Sequence, residues 1–293
     1  MLCNICPRNC NVQRDVKTGY CGVTNNIKIS RAALHFWEEP CISGQNGSGT
    51  VFFSGCNMGC VFCQNQDISH QCFGKEITIE RLAEIFVELQ QKNAHNINLV
   101  TPTHFVPQII QAVKTARQKG LSIPVVYNTS SYEKVQNIEN LKDTVDIYLP
   151  DFKYISAETA QKYSFCGDYP QRAKAAIDAI IKQTGPCVFD DEGIVQKGVI
   201  VRVLVLPGCT DEAKQIIEYL YTTYGDDIFI SIMSQYTPCT NLEKYPEINR
   251  KLTQQEYDDV VDFAVELGLE NGFLQEDEAA SESFIPPFNL EGV

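Results

Sequence analysis

The stretch Thr50-Val51-Phe52-Phe53-Ser54-Gly55-Cys56-Asn57-Met58-Gly59-Cys60-Val61-Phe62-Cys63 decides how the rest of the chain is read. Its first four residues are β-branched or aromatic and predict a short buried strand. A cysteine loop with C-x3-C-x2-C spacing follows directly. Three thiolates within eight residues can hold one iron–sulfur cluster corner by corner. An ordinary four-iron cluster takes four cysteines, so three leave one iron without a protein ligand. An open position is what a metal needs to bind and activate something, as at a catalytic zinc. Gly55 and Gly59 let the backbone turn tightly around such a group. The competing reading, a structural zinc, ordinarily shows four ligands in two pairs.

Upstream, Cys3, Cys6, Cys10 and Cys21 form a second pattern, C-x2-C-x3-C-x10-C, framed by Pro7, Arg8 and the turn Gly19-Tyr20-Cys21-Gly22. Four thiolates make a closed metal site, and zinc and an iron–sulfur cluster both suit four cysteines. So short a segment has little core of its own without a metal. Nine of the thirteen cysteines lie in the first 72 residues, and seven of those nine fall in the two clusters. That clustering, with an odd total, points to metal chemistry over paired disulfides. Cys166, Cys187, Cys209 and Cys239 are scattered and read as small buried hydrophobes. Cys41 and Cys72 receive no role. Residues 1–45 are thus expected to form a cysteine-rich metal-binding extension, and residues 46–293 the main domain.

Downstream, strands and helices alternate. Thr78 caps a helix to about 92, with Leu82, Ile85, Phe86 and Leu89 on one stripe. Strands are expected at 98–100, 124–127, 146–149, 199–206 and 228–232. Helices are expected at 106–119, 157–163, 171–183 and 211–224. Thr253-Gln254-Gln255-Glu256 reads as a capping box opening a helix to about 267. The alternation predicts an α/β fold whose parallel sheet carries helices outside it. About six βα units are too few for the eight of a closed barrel. A partial (β/α)6 TIM-like barrel fits, with a doubly wound sheet as the alternative. The tail Ser283-Phe284-Ile285-Pro286-Pro287-Phe288 is expected to be extended.

The chain is 44% hydrophobic, enough for a sizeable core, and has no run of eighteen apolar residues, so no membrane span is expected. Net charge is −13, from 24 Lys and Arg against 37 Asp and Glu, which argues against nucleic-acid or anionic-membrane partners. The start Met1-Leu2-Cys3 lacks the layout of a signal peptide, so a cytoplasmic location is expected.

The cysteine loop after a first strand resembles the signature of the radical S-adenosylmethionine superfamily. Four further segments resemble its branch named after pyruvate formate-lyase activating enzyme, within it an uncharacterised subgroup: Glu38-Glu39-Pro40-Cys41-Ile42-Ser43-Gly44, Asn98-Leu99-Val100-Thr101-Pro102-Thr103-His104, Tyr148-Leu149-Pro150-Asp151-Phe152-Lys153-Tyr154 and Ile232-Met233-Ser234-Gln235-Tyr236. The resemblance implies a [4Fe-4S] cluster on Cys56, Cys60 and Cys63, with S-adenosylmethionine chelating the open iron. It implies reductive cleavage to methionine and a 5′-deoxyadenosyl radical, which takes hydrogen from a substrate. Phe62 matches an aromatic residue near the adenine; a plain core aromatic is its competing reading. Thr101-Pro102-Thr103 stands where the family often has a Gly-Gly-Glu-like stretch for the methionyl amine. It has no carboxylate, which leaves backbone carbonyls as the candidate contact. Asn128-Thr129-Ser130 matches a strand-end segment facing the cofactor. Asp151 and Lys153 match an Asp-x-Lys element near the methionyl carboxylate, against the alternative of a solvated ion pair. Asn128 stands where a monovalent-cation site has Asp. Arg202 matches a basic residue facing the site. His104 reads as a cap or a satisfied core histidine.

The implied partners are a reductant such as flavodoxin or ferredoxin, and either a glycyl radical protein or a small-molecule substrate. The first reading of function is activation of a glycyl radical protein. The alternative is radical modification of a small molecule or of another peptide site. A non-enzymatic iron–sulfur protein is the third reading, and the open-iron triad argues against it.

Overall fold

The computed structural model describes residues 2–238, 242–275 and 285–293. Cys239 and the first two residues of the expected extended tail, Ser283 and Phe284, lie outside the described residues.

One sheet of ten strands runs through the molecule. In chain order its strands are β1 (Ile27–His35), β2 (Ser48–Phe53), β3 (Lys75–Ile77), β4 (Ile97–Val100), β5 (Val125–Thr129), β6 (Ile147–Pro150), β7 (Val188–Phe189), β8 (Val195–Leu204), β9 (Phe229–Met233) and β10 (Gly272–Leu274). Their spatial order is β10-β9-β8-β6-β5-β4-β2-β1-β3, with β7 pairing β8 off this path. From β2 through β10 the path is parallel throughout; β1 is antiparallel to both β2 and β3. The two ends of the order, β10 and β3, do not pair, so the sheet is open. Helices alternate with the strands, as predicted: Ile79–Gln91 lies between β3 and β4, and Val106–Gln118, Val135–Asn140, Ala157–Ser164, Tyr169–Thr184, Thr210–Tyr224 and Gln254–Glu266 follow parallel strands.

Strand parity explains where the site forms. In a strand, alternate side chains point to opposite faces. Val125 and Tyr127 of β5, Tyr148 of β6, and Val199, Val201 and Val203 of β8 belong to the large core shared with the helices. Their neighbours Val126, Ile147, Leu149 and Ile200 pack on the other face, against Cys41 and Ile42. Each such fully buried Val or Ile contributes roughly 1.5–3 kcal/mol. Continuing the inner parity toward the strand ends replaces these apolar residues by Asn128, Asp151 and Arg202. Parallel α/β sheets place their ligands at those C-terminal ends.

Local signals hold in detail. Thr78 accepts a hydrogen bond from Arg81 N (3.1 Å), and the helix it caps buries Leu82, Ile85, Phe86 and Leu89. Thr253 and Glu256 form the reciprocal capping box. The strand expected over 199–206 begins earlier, at Val195, because its first half pairs with β7. β1 was not expected: a register shift between Ile29 and Arg31 breaks the period-two pattern. Residues 2–26 contain neither helix nor strand. Among the described residues no helix is long and apolar enough to cross a membrane.

Candidate active site

The loop after β2 carries Cys56, Cys60 and Cys63, and all three border one cavity of about 250 Å³ at the strand ends. Each sulfur has a polar neighbour. Met58 N donates to Cys56 Sγ (3.4 Å), Ser164 Oγ donates to Cys60 Sγ (2.9 Å), and Ser69 Oγ lies 3.2 Å from Cys63 Sγ. Such donors stabilise sulfur that carries negative charge. As free thiols the groups resist ionisation. Burial, and then the neighbouring Cys60, push Cys56 well above the ordinary thiol range and Cys63 to about 11. A bound metal reverses that preference, since a coordinating thiol is deprotonated. Among the described residues no three Cys, His, Asp or Glu side chains are drawn together as around a single ion. A four-iron cluster presents its irons at separate corners, and three thiols bordering one cavity fit three of them.

Gly59 has φ +100°, and a Cβ there would lie 2.5 Å from Tyr20 Oη. Gly55 has φ +85°, and a Cβ there would run into the Cys21 carbonyl. The loop therefore needs glycine twice, for conformation and for close packing.

The strand-end residues meet at this cavity. Phe62, Thr101, Asn128, Ser130, Asp151, Lys153 and Arg202 all line it. The Phe62 ring stands edge-on to Tyr236, with centroids 5.8 Å apart. Lys153 Nζ bonds Asp151 Oδ2 at 2.7 Å. Burial opposes the charge on Lys153, but Asp151 and the Cys60 and Cys63 thiols overcome it and hold its pKa above the usual lysine value. Ser130 Oγ is buried without a hydrogen-bond partner, and Ser130 borders the cavity. An unsatisfied hydroxyl beside a mostly buried ion pair fits a polar, zwitterionic ligand.

Thr103 is not among the residues lining the cavity. It lies in a short 3-10 turn and donates to Glu133 Oε1 at 2.5 Å. Tyr127 Oη and Thr129 Oγ1 donate to the same oxygen, at 3.0 and 2.9 Å. Burial dominates these bonds and raises the Glu133 pKa. His104 is a core histidine: its Nε2 lies 2.9 Å from Ser54 O, two residues before Cys56, and burial drives its pKa down to about 3.

Sequence reasoning gave Glu38 and Glu39 no role. Arg202 donates to both carboxylates, and all three side chains are under 10% exposed. Glu38 also accepts from Asn98 Nδ2 (2.8 Å) and borders the cavity. Burial works against the Arg202 charge, but Glu38 and Glu39 outweigh it and raise its pKa far above the ordinary value. The signal was present: a cation in an apolar strand needs counter-charges, and Glu38-Glu39 is an acidic pair in the same chain.

The segment with the four N-terminal cysteines lies against the loop that carries Cys56, Cys60 and Cys63. Cys6 and Cys21 are buried, Cys3 and Cys10 half-buried. Burial raises Cys6 to about 12, with further upward pushes from Glu133, Cys10 and Cys21. Tyr20 N donates to Cys10 Sγ (3.2 Å). Cys72 stands beside them, its thiol 3.6 Å from Cys21 O. Arg8 spans the gap to the loop, donating to Asn57 O (2.8 Å) and Met58 O (2.5 Å), and to Ser164 O (3.2 Å) and Phe165 O (2.6 Å). Its guanidinium stacks over Tyr20, 3.8 Å from the ring centroid.

The Radical SAM superfamily model matches residues 50–220. The uncharacterized protein MJ0674 of Methanocaldococcus jannaschii is 32% identical over 277 residues, covering 92% of this chain and 75% of that protein. Among solved structures, Streptococcus suis SuiB bound to precursor peptide SuiA is similar at TM-score 0.50 and 10% identity, over 75% of this chain and 46% of that one. The FeFe-hydrogenase maturase HydG of Carboxydothermus hydrogenoformans is similar at TM-score 0.52 and 11% identity, over 80% and 56%. The chain spans about half the length of these two solved structures. At such identities they speak for the fold.

Proposed function

Because the chain belongs to the radical SAM superfamily, we propose that Cys56, Cys60 and Cys63 carry its [4Fe-4S] cluster beside an S-adenosylmethionine site, and that the chain is an activating enzyme of the branch named after pyruvate formate-lyase activating enzyme. When bound, the cluster supplies the electron that divides S-adenosylmethionine into methionine and a 5′-deoxyadenosyl radical. One observation carries the reading. All four segments that resemble that branch contribute side chains to the same cavity as the cysteines, through Glu38, Thr101, Asp151 with Lys153, and Gln235 with Tyr236.

The chain's own residues bind and orient. Lys153, held charged by Asp151, offers a cation to a carboxylate. Ser130 and Asn128 offer neutral polar groups beside it, and Phe62 offers an aromatic face. Gln64 Nε2 bonds Gln235 O (2.6 Å) and fixes the loop after the third cysteine to the end of β9. The target of the radical is a glycyl Cα–H of a partner protein, with a flavodoxin- or ferredoxin-type reductant in the cytoplasm. The same reading makes the N-terminal cysteine segment a metal-bearing extension.

The test is to reduce reconstituted protein with dithionite and add S-adenosylmethionine. Release of 5′-deoxyadenosine is expected, with its loss in Cys60→Ala. No release from the wild type overturns the enzyme reading. A stable glycyl radical on mixing with candidate partners, seen by paramagnetic resonance, supports the activating role; turnover of a small molecule without one assigns the radical to other chemistry.

A further inference from the structure

We propose that Ser164, with Tyr154 behind it, raises the reduction potential of the cluster on Cys56, Cys60 and Cys63 by donating a hydrogen bond to the Cys60 sulfur. The proposal rests on the cluster reading given above. Ser164 acts through Cys60, so it is a positioning residue and not a catalytic one.

The backbone brings Ser164 to this sulfur. It is the last residue of the helix Ala157–Ser164. Phe165, which follows, has φ 53°, in the left-handed region that residues other than glycine rarely adopt. The chain turns there, and the helix end meets the cysteine loop. Val61 N donates to Tyr163 O (2.9 Å), and Arg8 Nη2 donates to Ser164 O (3.2 Å). The residue after Cys60 is thereby tied to the residue before Ser164.

Three side chains then form a line. Ser164 Oγ lies 2.9 Å from Cys60 Sγ and 2.8 Å from Tyr154 Oη. Tyr154 and Ser164 are fully buried, and Cys60 is nearly so. The direction of the line follows from chemistry. A sulfur bound to iron carries no proton and can only accept. Ser164 spends its one hydrogen on Cys60, so it accepts from Tyr154. Burial, and then the Cys60 thiol, hold the Tyr154 phenol far above its ordinary pKa, so it stays a donor. Its ring is set edge-on to Tyr169, with centroids 5.4 Å apart. The segment after β6 thus serves two surroundings in alternation: Asp151 and Lys153 border the cavity, while Phe152 and Tyr154 lie in the core.

Reduction adds one electron, drawn from a flavodoxin- or ferredoxin-type protein or from dithionite. No bond in the line forms or breaks, and both hydroxyls keep their protons. The added negative charge is shared with the ligand sulfurs, so a donor aimed at one of them favours the reduced form. The effect is strong where the donor is buried and is itself polarised by a second hydroxyl.

The experiment reconstitutes the full chain anaerobically with iron and sulfide, holds it at a series of potentials, and follows the paramagnetic signal that S-adenosylmethionine alters. Ser164→Ala should keep the wild-type iron content while its reduction becomes less favourable by about threefold or more, a fall of about 28 mV for a one-electron couple. Ser164→Thr keeps the hydroxyl and should restore the wild-type potential. Tyr154→Phe should lower the potential by a smaller amount, because Ser164 still donates but has no donor behind it. A Ser164→Ala potential equal to that of the wild type overturns the proposal, as does the same fall in the alanine and threonine variants. Should Ser164→Ala not fold or not hold iron, Tyr154→Phe decides, and an unshifted potential there overturns the proposal. A wild type with no S-adenosylmethionine-responsive signal overturns the cluster reading as well. A responsive signal that neither hydroxyl moves overturns the proposal alone.

Discussion

Thr103 donates its hydroxyl to Glu133 at 2.5 Å, so the end of β4 has a carboxylate behind it, not in it. Glu133 comes from the turn after β5 and is fully buried, with its second oxygen unpartnered. Burial raises its pKa in the folded chain above the ordinary 4.5. A carboxyl raised in this way binds its proton more tightly folded than unfolded. Its contribution to stability is therefore greatest below 4.5 and falls as pH rises above it. Glu133→Gln, which keeps an oxygen acceptor for Thr103, Tyr127 and Thr129, should flatten that fall. Urea midpoints measured from pH 4 to pH 8 check it. Parallel curves for the two proteins would refute the assignment.

His104 shows the opposite linkage. Its pKa falls to about 3 when folded, from an ordinary 6.5. Above 6.5 both states are neutral and the protein keeps its full stability. Below it the unfolded chain takes up a proton that the native core refuses until about pH 3. The expected loss is on the order of 5 kcal/mol over that window, at about 1.4 kcal/mol per pH unit. His104→Gln should remove the slope in acid denaturation while lowering stability at pH 8, because the bond to Ser54 O is disturbed.

Arg202 neutralises two nearly buried carboxylates. Arg202→Met should cost roughly 3–5 kcal/mol, because Glu38 and Glu39 are left buried and unpaired. The triple change E38Q/E39Q/R202M should recover most of the loss, since no charge then stays behind. Denaturant midpoints at neutral pH decide; equal cost in the single and triple variants would count against the charge argument.

Gly59→Ala places a methyl group against Tyr20 Oη at a φ of +100°. Strain of about 1–3 kcal/mol is expected in the loop. It should appear as lower iron retention after desalting of reconstituted protein. Adding Tyr20→Ala removes the contact but not the conformational cost, so recovery should be partial.

The framework of the fold was legible because its signals are local. Thr78, the Thr253 capping box and the β-branched run around Val201 each announce an element within a few residues. Phe62, Thr101, Asn128, Ser130, Asp151, Lys153 and Arg202 share one cavity because strand parity carries short sequence segments to one place. What the sequence hides is pairing over distance. β1 escapes because of its bulge, and Glu38 and Glu39 meet Arg202 across more than 160 residues. Thr103 shows the converse: its position in a motif is local, but its hydroxyl is turned away by a glutamate that no motif contains.

The reach of Arg8 has a consequence for how the molecule is made. Its acceptors lie 49, 50, 156 and 157 residues further along the chain. The N-terminal turns leave the ribosome before any of these exists. Their contacts are not complete until the helix Ala157–Ser164 has been synthesised and seated. The first cysteines made are thus among the last to find their full surroundings. Seating of the N-terminal turns is therefore expected to follow assembly of the sheet, not to lead it.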